Sequence, residues 1–412
     1  MSHQPIPEVI HTQCCVAGGG PAGMMLGFLL ARAGVNVVVL EKHADFLRDF
    51  RGDTIHPSTL QVVHELGLID DFLRRPHQEV REARGVVEGV EYPIADFSHL
   101  PVHSKFLAFM PQWDFLNFLA EHAQKYPTFH LKTRAAVTDL IEEGGRVVGV
   151  RATTEAGPLE VRADLTVGAD GRASTVREKS GMTVRSLGAP IDVLWMKISR
   201  ESTDPSMPLG RFDKGRVLVM LFRDDFWQCG FVIPKGGLVE LQKRGIGSFR
   251  KDLAEIAPFI ANRVNEIRTW DDVRLLTVAV DRLTRWYRPG LLCIGDAAHA
   301  MSPLGGVGIN LAIQDAVASA NLLAGKLRTR TVTISDLARV QCRRMLPTRV
   351  TQWLQVQGQD RVINPVLMNR GPISPPLALR LFRRFPLLRR IPARLIGMGI
   401  RPEHVQTPDV LK

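Results

Sequence analysis

The sequence predicts an α/β fold in which a domain with a mainly parallel sheet is interrupted by a mostly antiparallel sheet and followed by a C-terminal helical segment. Strand and helix patterns alternate at first, a strand-rich middle follows, and the alternation then returns. We place the first domain at residues 12–75, 107–188 and 280–350, the antiparallel sheet domain at 76–106 and 189–279, and the C-terminal segment at 351–412.

The composition excludes several classes of protein. The chain has 412 residues, 45% hydrophobic and 23% charged, which is typical of a globular protein rather than a disordered or fibrous one. Its five cysteines lack CxxC spacing, which argues against a disulfide scaffold and against a metal site. With no signal-like N-terminus and no run of about 18 apolar residues, we expect a cytoplasmic protein.

The positive charge is concentrated near the C-terminus. Residues 361–401 contain nine arginines and no Asp or Glu, while the whole chain carries +11. The rest of the chain is therefore close to neutral, which does not favour nucleic-acid binding. Apolar residues interleave with these arginines, so peripheral contact with an anionic membrane is one interpretation. We prefer short helices docked on the main body, because Pro376, Pro386 and Pro392 interrupt any long amphipathic helix.

The N-terminal part reads as strand, glycine turn, helix and strand. An apolar run at 14–17 precedes the glycines, helical spacing covers 24–33, and a β-branched run follows at 35–40. Gly18, Gly20 and Gly23 fit GxGxxG, in which the first glycine permits a tight turn, the second admits a diphosphate and the third allows close helix–strand packing. Glu41 ends the second strand, where a carboxylate accepts from ribose hydroxyls. This pattern predicts a Rossmann-like dinucleotide-binding domain.

The later elements follow from the same periodicities. Helical patterns cover residues 57–66, 112–125 and about 309–323, whereas residues 191–199, 216–222 and 227–233 are rich in aromatic and branched residues and predict antiparallel strands. A buried strand is expected at 291–294.

Two further motifs follow strands. Asp170-Gly171 lies in VGADGRASTVR, and Gly295-Asp296 lies in CIGDAAH, which continues to Pro303, Gly306 and Gly308. Taken alone, each is also compatible with an ordinary Asp-Gly turn or a helix cap. Asp296 at a strand end can bind a polyol hydroxyl, and backbone amides at the following helix start can face negative charge.

The three motifs, in this order and spacing, resemble the class A flavoprotein monooxygenases of the para-hydroxybenzoate hydroxylase type, over roughly residues 12–350. The resemblance implies an FAD-binding domain, with Arg51 in a mobile flavin loop and Gln112 on the flavin side of a helix. The residues expected to bind FAD are Gly18, Gly20, Pro21, Ala22, Gly23, Glu41, Lys42, Arg51, Gln112, Asp170, Gly171, Gly295, Asp296, Pro303, Gly306, Gly308, Ile309 and Asn310.

The resemblance also implies the activity. NAD(P)H would reduce FAD, and O2 would then form a flavin C4a-hydroperoxide that hydroxylates a phenolic or N-heteroaromatic substrate. Pro303, Gly306 and Gly308 would act at the flavin ring, and no second glycine motif indicates a separate nicotinamide domain, so NAD(P)H would bind transiently. The antiparallel sheet is expected to face the substrate. Each residue proposed to line the substrate site is equally compatible with a purely structural position in the hydrophobic core. These candidates are Trp195, Met220, Phe222, Trp227 and Phe231.

Some features depart from the family or leave alternatives open. The segment after Arg51, Asp53 to Pro57, is more polar than usual, and we interpret His56 and His299 as structural residues. The segment CGFVIP lacks both tryptophans of the halogenase motif WxWxIP, which argues against halogenation. A flavin-dependent reductase or hydroxylase of a membrane-borne isoprenoid or quinone-type lipid is the main alternative, and the oligomeric state is not predicted.

Overall fold

The computed structural model describes residues 7–47, 54–205, 209–223, 225–369 and 371–412. These residues form twenty strands and twelve α-helices. The strands are β1 (Glu8–Ala17), β2 (Val37–Leu40), β3 (Thr54–Ile55), β4 (Gln78–Val80), β5 (Glu82–Val87), β6 (Val90–Asp96), β7 (Leu107–Phe109), β8 (Phe129–Lys132), β9 (Ala136–Glu143), β10 (Arg146–Thr154), β11 (Gly157–Gly168), β12 (Val184–Ser186), β13 (Ile191–Ser199), β14 (Leu209–Asp213), β15 (Arg216–Phe222), β16 (Phe226–Pro234), β17 (Arg274–Leu276), β18 (Asp281–Leu283), β19 (Tyr287–Arg288) and β20 (Leu291–Cys293). The helices are α1 (Pro21–Arg32), α2 (Pro57–Glu65), α3 (Ile69–Leu73), α4 (Gln112–Ala123), α5 (Thr175–Lys179), α6 (Leu238–Lys243), α7 (Ile246–Ile256), α8 (Gly308–Arg328), α9 (Ile334–Gly358), α10 (Asn364–Met368), α11 (Leu377–Arg384) and α12 (Arg390–Gly397).

An eight-stranded sheet forms the first domain. Its main path is β19-β20-β11-β1-β2-β8, and β10 and β9 extend from β11. Strands β20, β11, β1, β2 and β8 run parallel, which is the arrangement predicted for the dinucleotide-binding domain. Every residue of β2 is buried, as expected for a β-branched run covered on both faces. Helix α1 packs in the same hydrophobic core, which includes Cys14, Val16 and Leu29.

The predicted interruption is a seven-stranded sheet with the order β17-β13-β16-β15-β14-β5-β6. Its neighbours pair antiparallel except β14 and β5, which pair parallel, so the predicted antiparallel character is confirmed. Residues 78–80, which we expected in this domain, instead form β4 of a small sheet with the order β3-β7-β4.

The two faces of the seven-stranded sheet have different neighbours. Met220, Trp227 and Phe231 are buried in a cluster with α7, and Phe222 packs against the same cluster. Trp195 packs in a separate cluster, because side chains alternate between faces along a strand. Met220, Trp227 and Phe231 therefore belong to the core beneath the helices, and Trp195 alone of the five lies on the other face. Phe222 is partly buried between this core and a second cluster that contains Phe97 and Phe109.

The C-terminal segment does not begin where the sequence indicated. Helix α9 runs continuously across residue 350, so the expected boundary falls within a helix. Helices α10, α11 and α12 follow as short units, as the prolines predicted, and arginines such as Arg380, Arg383 and Arg384 are exposed. By length and composition the segment Leu304–Arg328 could cross a membrane, but its apolar window is 78% buried inside the fold, as in the core helix of a globular protein.

Replacement of Trp227 by alanine should destabilise the fold. Its indole is fully buried, and Nε1 donates to Asp204 Oδ2 at 2.8 Å. We expect Trp227→Ala to lower the free energy of unfolding by about 3–5 kcal/mol, measured by urea denaturation. Trp353, which is 60% exposed, provides the control, since Trp353→Ala should change this free energy by no more than about 0.5 kcal/mol. Equal stability of the two variants would contradict the placement of Trp227 in the core.

Candidate functional site

The predicted motifs converge because four parallel strands end at one edge of the eight-stranded sheet. Ala17 pairs with Leu40 and with Gly168, and Gly168 pairs with Cys293. The segments that follow these strand ends contain the glycine turn, Glu41, Asp170 and Asp296. Ligands of open α/β sheets bind outside the carboxyl ends of the strands, so this edge is the candidate functional site.

Each glycine of the first motif has the surroundings that its predicted role requires. Gly18 has φ of +106°, and a Cβ there would lie 2.4 Å from the carbonyl oxygen of Ala169. A Cβ on Gly23 would lie 1.9 Å from the carbonyl oxygen of Gly18, so only glycine permits this approach of helix and turn. A Cβ on Gly20 would meet no atom within 4 Å. Open space at Gly20, at the start of α1, leaves room for a diphosphate.

Glu41 is buried beside this turn. Its Oε2 accepts from the backbone N–H of Gly19 at 2.9 Å, and its Oε1 accepts from the N–H of His43 at 3.0 Å. These bonds fix the carboxylate next to the glycine turn, at the position predicted for contact with a ribose. Lys42, which we also assigned to this site, is exposed.

Asp170 organises its own loop. It accepts hydrogen bonds from the Ser174 hydroxyl and the Val176 amide, which shape the start of α5. Burial raises the pKa of Asp170, and these hydrogen bonds offset part of that effect. The loop abuts the glycine turn, since a Cβ on Gly18 would lie 2.7 Å from the Cα of Asp170.

Asp296 is bonded to this loop through Arg172. Arg172 Nε donates to Asp296 Oδ2 at 3.1 Å. The preceding Gly295 approaches α1, because a Cβ on Gly295 would lie 3.1 Å from Ala22 Cβ. The structure therefore brings the first, second and third motifs together. Arg172 is not among the residues predicted to bind FAD, although its position directly after Asp170-Gly171 marks it as a cation within the second motif.

A buried ionic network centred on Asp315 holds the Gly295-Asp296 turn in place. Asp315 Oδ2 accepts from the Gly295 amide at 3.1 Å and lies 2.6 Å from His299 Nε2, while Asp315 Oδ1 accepts from Arg344 Nε at 2.9 Å. Burial alone would raise the pKa of Asp315, but His299 and Arg344 lower it below its usual value. Arg344 also pairs with Glu403 near the C-terminus. This position of His299 agrees with the structural role expected for it.

The loop from Pro303 to Val307 leads into the N-terminus of α8 at Gly308. The Gly306 amide donates to the Pro303 carbonyl at 3.0 Å, so it serves the turn itself. The first-turn amides of α8, from Gly308 to Asn310, have no acceptor within α8, because they belong to its first three residues. These amides, rather than that of Gly306, are the donors that can face negative charge.

Asn310 has a structural partner that the sequence did not indicate. Its Oδ1 accepts from the His56 amide at 3.0 Å and from the Thr59 hydroxyl at 2.7 Å, which joins α8 to the start of α2. Its Nδ2 is buried and has no hydrogen-bond partner among the described residues. This amide is therefore the part of Asn310 that remains for a ligand.

His56 is fully buried between the loop and the C-terminal segment. Its Nδ1 lies 2.7 Å from the carbonyl oxygen of Ile396, and a Cβ on Gly306 would lie 3.6 Å from its Nε2. Burial lowers the pKa of His56 to about 4, despite the carbonyls of Ile396 and Gly306, which favour the protonated ring. The imidazole is therefore neutral at pH 7, and Nδ1–H donates to Ile396.

Two glutamines of α9 and the turn after it join the Pro303 loop to the antiparallel sheet. Gln355 Nε2 donates to the carbonyls of Ser302 and Leu304 at 2.9 and 3.0 Å, and Gln359 Nε2 donates to the Ser302 hydroxyl. Gln359 begins a π-helical turn that ends at Ile363, and Ile363 packs in the cluster that includes Trp195. The Trp195 face of the sheet is thus the face connected to the Pro303 loop. Both glutamines are distant in sequence from the loop, and no motif marks them.

Two expected site residues remain to be placed. Arg51 lies outside the described residues. Gln112 is the first residue of α4 and is partly exposed. Strand β7 ends three residues before Gln112 and pairs with β3, whose Thr54 lies against Gly306.

The lowered pKa of His56 predicts a pH-dependent stability. Between pH 6.5 and 4 the unfolded chain binds a proton that the folded chain does not, so stability decreases as the pH falls through this range. We expect this group to contribute roughly 3 kcal/mol to the decrease. His56→Asn should remove that contribution, measured by urea unfolding at several pH values, whereas the exposed His130→Asn should keep the wild-type profile. An unchanged profile in His56→Asn would contradict a buried neutral imidazole.

Comparison with known proteins agrees with this geometry. The family described as "FAD binding domain" matches residues 11–353. The 6-methylpretetramide 4-monooxygenase of Streptomyces rimosus is 35% identical, over 95% of this chain and 94% of that protein. A rifampicin monooxygenase of Streptomyces venezuelae is 28% identical, and the matched region covers 73% of this chain and 61% of that protein. The solved structure of the p-nitrophenol 4-monooxygenase PnpA from Pseudomonas putida DLL-E4 has the same fold, with a TM-score of 0.74 at 20% identity, covering 94% of this chain and 97% of that chain. The chain belongs to the class A flavoprotein monooxygenase family.

Proposed function

We propose that this protein uses NAD(P)H and O2 to hydroxylate an aromatic, phenolic or N-heteroaromatic substrate at a bound FAD. The similarity to 6-methylpretetramide 4-monooxygenase carries this proposal, because it extends over 95% of this chain and 94% of the relative and so includes the sheet domain and the C-terminal segment. 6-Methylpretetramide and related phenols are therefore the first substrates to test. These similarities give no support to membrane contact through the C-terminal arginines.

The residues at the sheet edge fit FAD. Open space at Gly20 and the N-terminus of α1 suit a diphosphate, and the Glu41 carboxylate suits a ribose hydroxyl. Asp296 suits the ribityl chain, and the buried Nδ2 of Asn310 is a donor with no partner among the described residues. Bound FAD would supply the electron transfer and the activation of O2 that no side chain provides.

The N-terminus of α8 would stabilise negative charge on the reduced flavin ring. Helix α8 has 21 residues, and its first-turn amides and dipole favour an anion at this end. Asn310 joins this turn to the residue before α2, and Asp315, further along α8, joins the helix to Gly295. We therefore assign the stabilising role to the amides from Gly308 to Asn310, whereas Pro303 and Gly306 shape the loop.

We assign the substrate to the Trp195 face of the seven-stranded sheet. That face is connected to the Pro303 loop through Gln355, Gln359 and Ile363, whereas the opposite face is filled by α7. The Trp195 indole lies over Gly230, where a Cβ would approach its ring to 3.0 Å. An indole at this place offers an aromatic surface on which an aromatic substrate can stack.

The test of function is turnover by the purified, FAD-loaded protein. We would measure oxygen uptake with NADH and with NADPH in the presence of 6-methylpretetramide, simpler phenols and N-heteroaromatics, using 18O2 and mass spectrometry of products. We expect a substrate that accelerates NAD(P)H oxidation and gains one labelled oxygen atom. Asp296→Ala should lose FAD and this activity, whereas Asp213→Ala, which also removes an arginine-paired aspartate, should retain both.

Two results would contradict this function. Conversion of a lipid substrate without oxygen uptake would instead indicate the reductase alternative. Failure of every aromatic compound to accelerate NAD(P)H oxidation, together with a flavin that NAD(P)H does not reduce under anaerobic conditions, would overturn the proposal.

Trp195 provides a separate test of the substrate face. We expect Trp195→Ala to raise KM for the aromatic substrate about tenfold, which corresponds to the loss of about 1.4 kcal/mol of stacking. The dissociation constant of FAD should remain unchanged. The exposed Trp353→Ala provides the control, and wild-type KM in Trp195→Ala would place the substrate elsewhere.

A further inference from the structure

Arg172 connects the second and third motifs. Its Nε donates to Asp296 Oδ2 at 3.1 Å, and its Nη2 donates to the Met301 carbonyl at 3.1 Å. It therefore joins the loop after β11 to both ends of the segment between Asp296 and Met301. Its own carbonyl accepts from Arg177, which is paired with Asp281, so the Arg172 backbone is also held in place.

One guanidinium nitrogen of Arg172 has no partner. Nη1 is buried and has no hydrogen-bond partner among the described residues, although the other two guanidinium nitrogens each have one. A buried guanidinium nitrogen without a partner is destabilising, and more so because the group is charged. A fold that places such a donor beside a ligand site provides it with a partner when an anion binds there.

The position of Arg172 suits a diphosphate. Asp170, two residues earlier, abuts Gly18 of the glycine turn, and Gly295, beside Asp296, abuts Ala22 at the start of α1. A diphosphate at this turn brings negative charge towards the Asp296 carboxylate. A cation that is already bonded to Asp296 reduces the resulting repulsion. Arginine suits this place better than lysine, because its planar fork can bind a carboxylate and a phosphate together.

We propose that Arg172 is a positioning residue for FAD, which orients the Asp296 carboxylate through Nε and donates from Nη1 to an oxygen of the FAD diphosphate. The inference rests on the proposed function, since it concerns the cofactor of that same site. This role differs from a purely structural one, in which Arg172 would bind Asp296 and Met301 without contacting a phosphate.

The experiment measures ligand binding to the apoprotein. The dissociation constants of FAD, ADP and adenosine are determined for wild type, Arg172→Gln and Arg172→Lys, by flavin fluorescence quenching and by calorimetry. We expect Arg172→Gln to weaken FAD about 10- to 100-fold and to weaken ADP but not adenosine, because only ADP carries the diphosphate. Arg172→Lys should be intermediate, since it keeps the charge and loses the fork.

Arg288 provides a matched control. It also donates to one carboxylate, that of Glu142, and to one carbonyl, that of Ser180, but it lies in β19 at the edge of the sheet. Arg288→Gln should bind FAD and ADP within about twofold of wild type. Circular dichroism and thermal unfolding check that each variant is folded, and Arg172→Lys tests the proposal if Arg172→Gln does not fold.

The outcomes separate this inference from the proposed function. Wild-type FAD affinity in both Arg172 variants, with normal turnover, would overturn the role of Arg172 and leave the monooxygenase function intact. Weaker FAD binding with unchanged ADP binding would mean that Arg172 only orients Asp296, and it would overturn the proposed contact with the phosphate. A wild-type protein that does not bind FAD would overturn the proposed function itself.

Discussion

The site depends on the hydrogen bonds and ion pairs of one buried carboxylate, that of Asp315. It binds the Gly295 amide, His299 and Arg344 at once, and through Arg344 it is linked to Glu403. A carboxylate removed from water is stable only when it is paired and fully hydrogen-bonded, so these partners are obligatory. Because one partner belongs to the Gly295-Asp296 turn and another to α9, the same charge fixes the loop and the helix that supports it.

Residues near the C-terminus also help to hold the site in place. Glu403 accepts from Arg343 as well as Arg344, and Ile396 accepts from His56 beside the Pro303 loop. Further along, Arg32 of α1 donates to the carbonyls of Thr407 and Pro408. The residues that follow the basic helices therefore extend across the FAD-binding domain and contact the elements that form the site. This gives the C-terminal segment a structural role that does not require a membrane.

Local sequence patterns predicted most of the fold because the decisive constraints were local. Gly18 and Gly23 are required by backbone contacts within one turn, and the β-branched run at β2 reflects burial on both faces. The faces of the antiparallel sheet were not predictable in the same way. Trp195 and Trp227 both lie in apolar strands, and only the packing around the sheet makes Trp227 fully buried beside α7 while Trp195 is partly buried against the cluster on the opposite face. Every FAD contact assigned from the sequence, including those of Arg51, Lys42 and Gln112, remains a prediction.

The sequence by itself determined the order of the elements, the glycine turn, and the carboxylates at the ends of parallel strands. These features follow from steric limits and side-chain periodicity over a few residues. Only the tertiary structure decided which long-range partners complete the site. Arg172 meets Asp296, Asp315 supports Gly295, and Gln355 and Gln359 hold Ser302 across separations that no local pattern encodes. The physical reason is that a buried polar group needs a partner in space, and the fold alone brings that partner within hydrogen-bond distance.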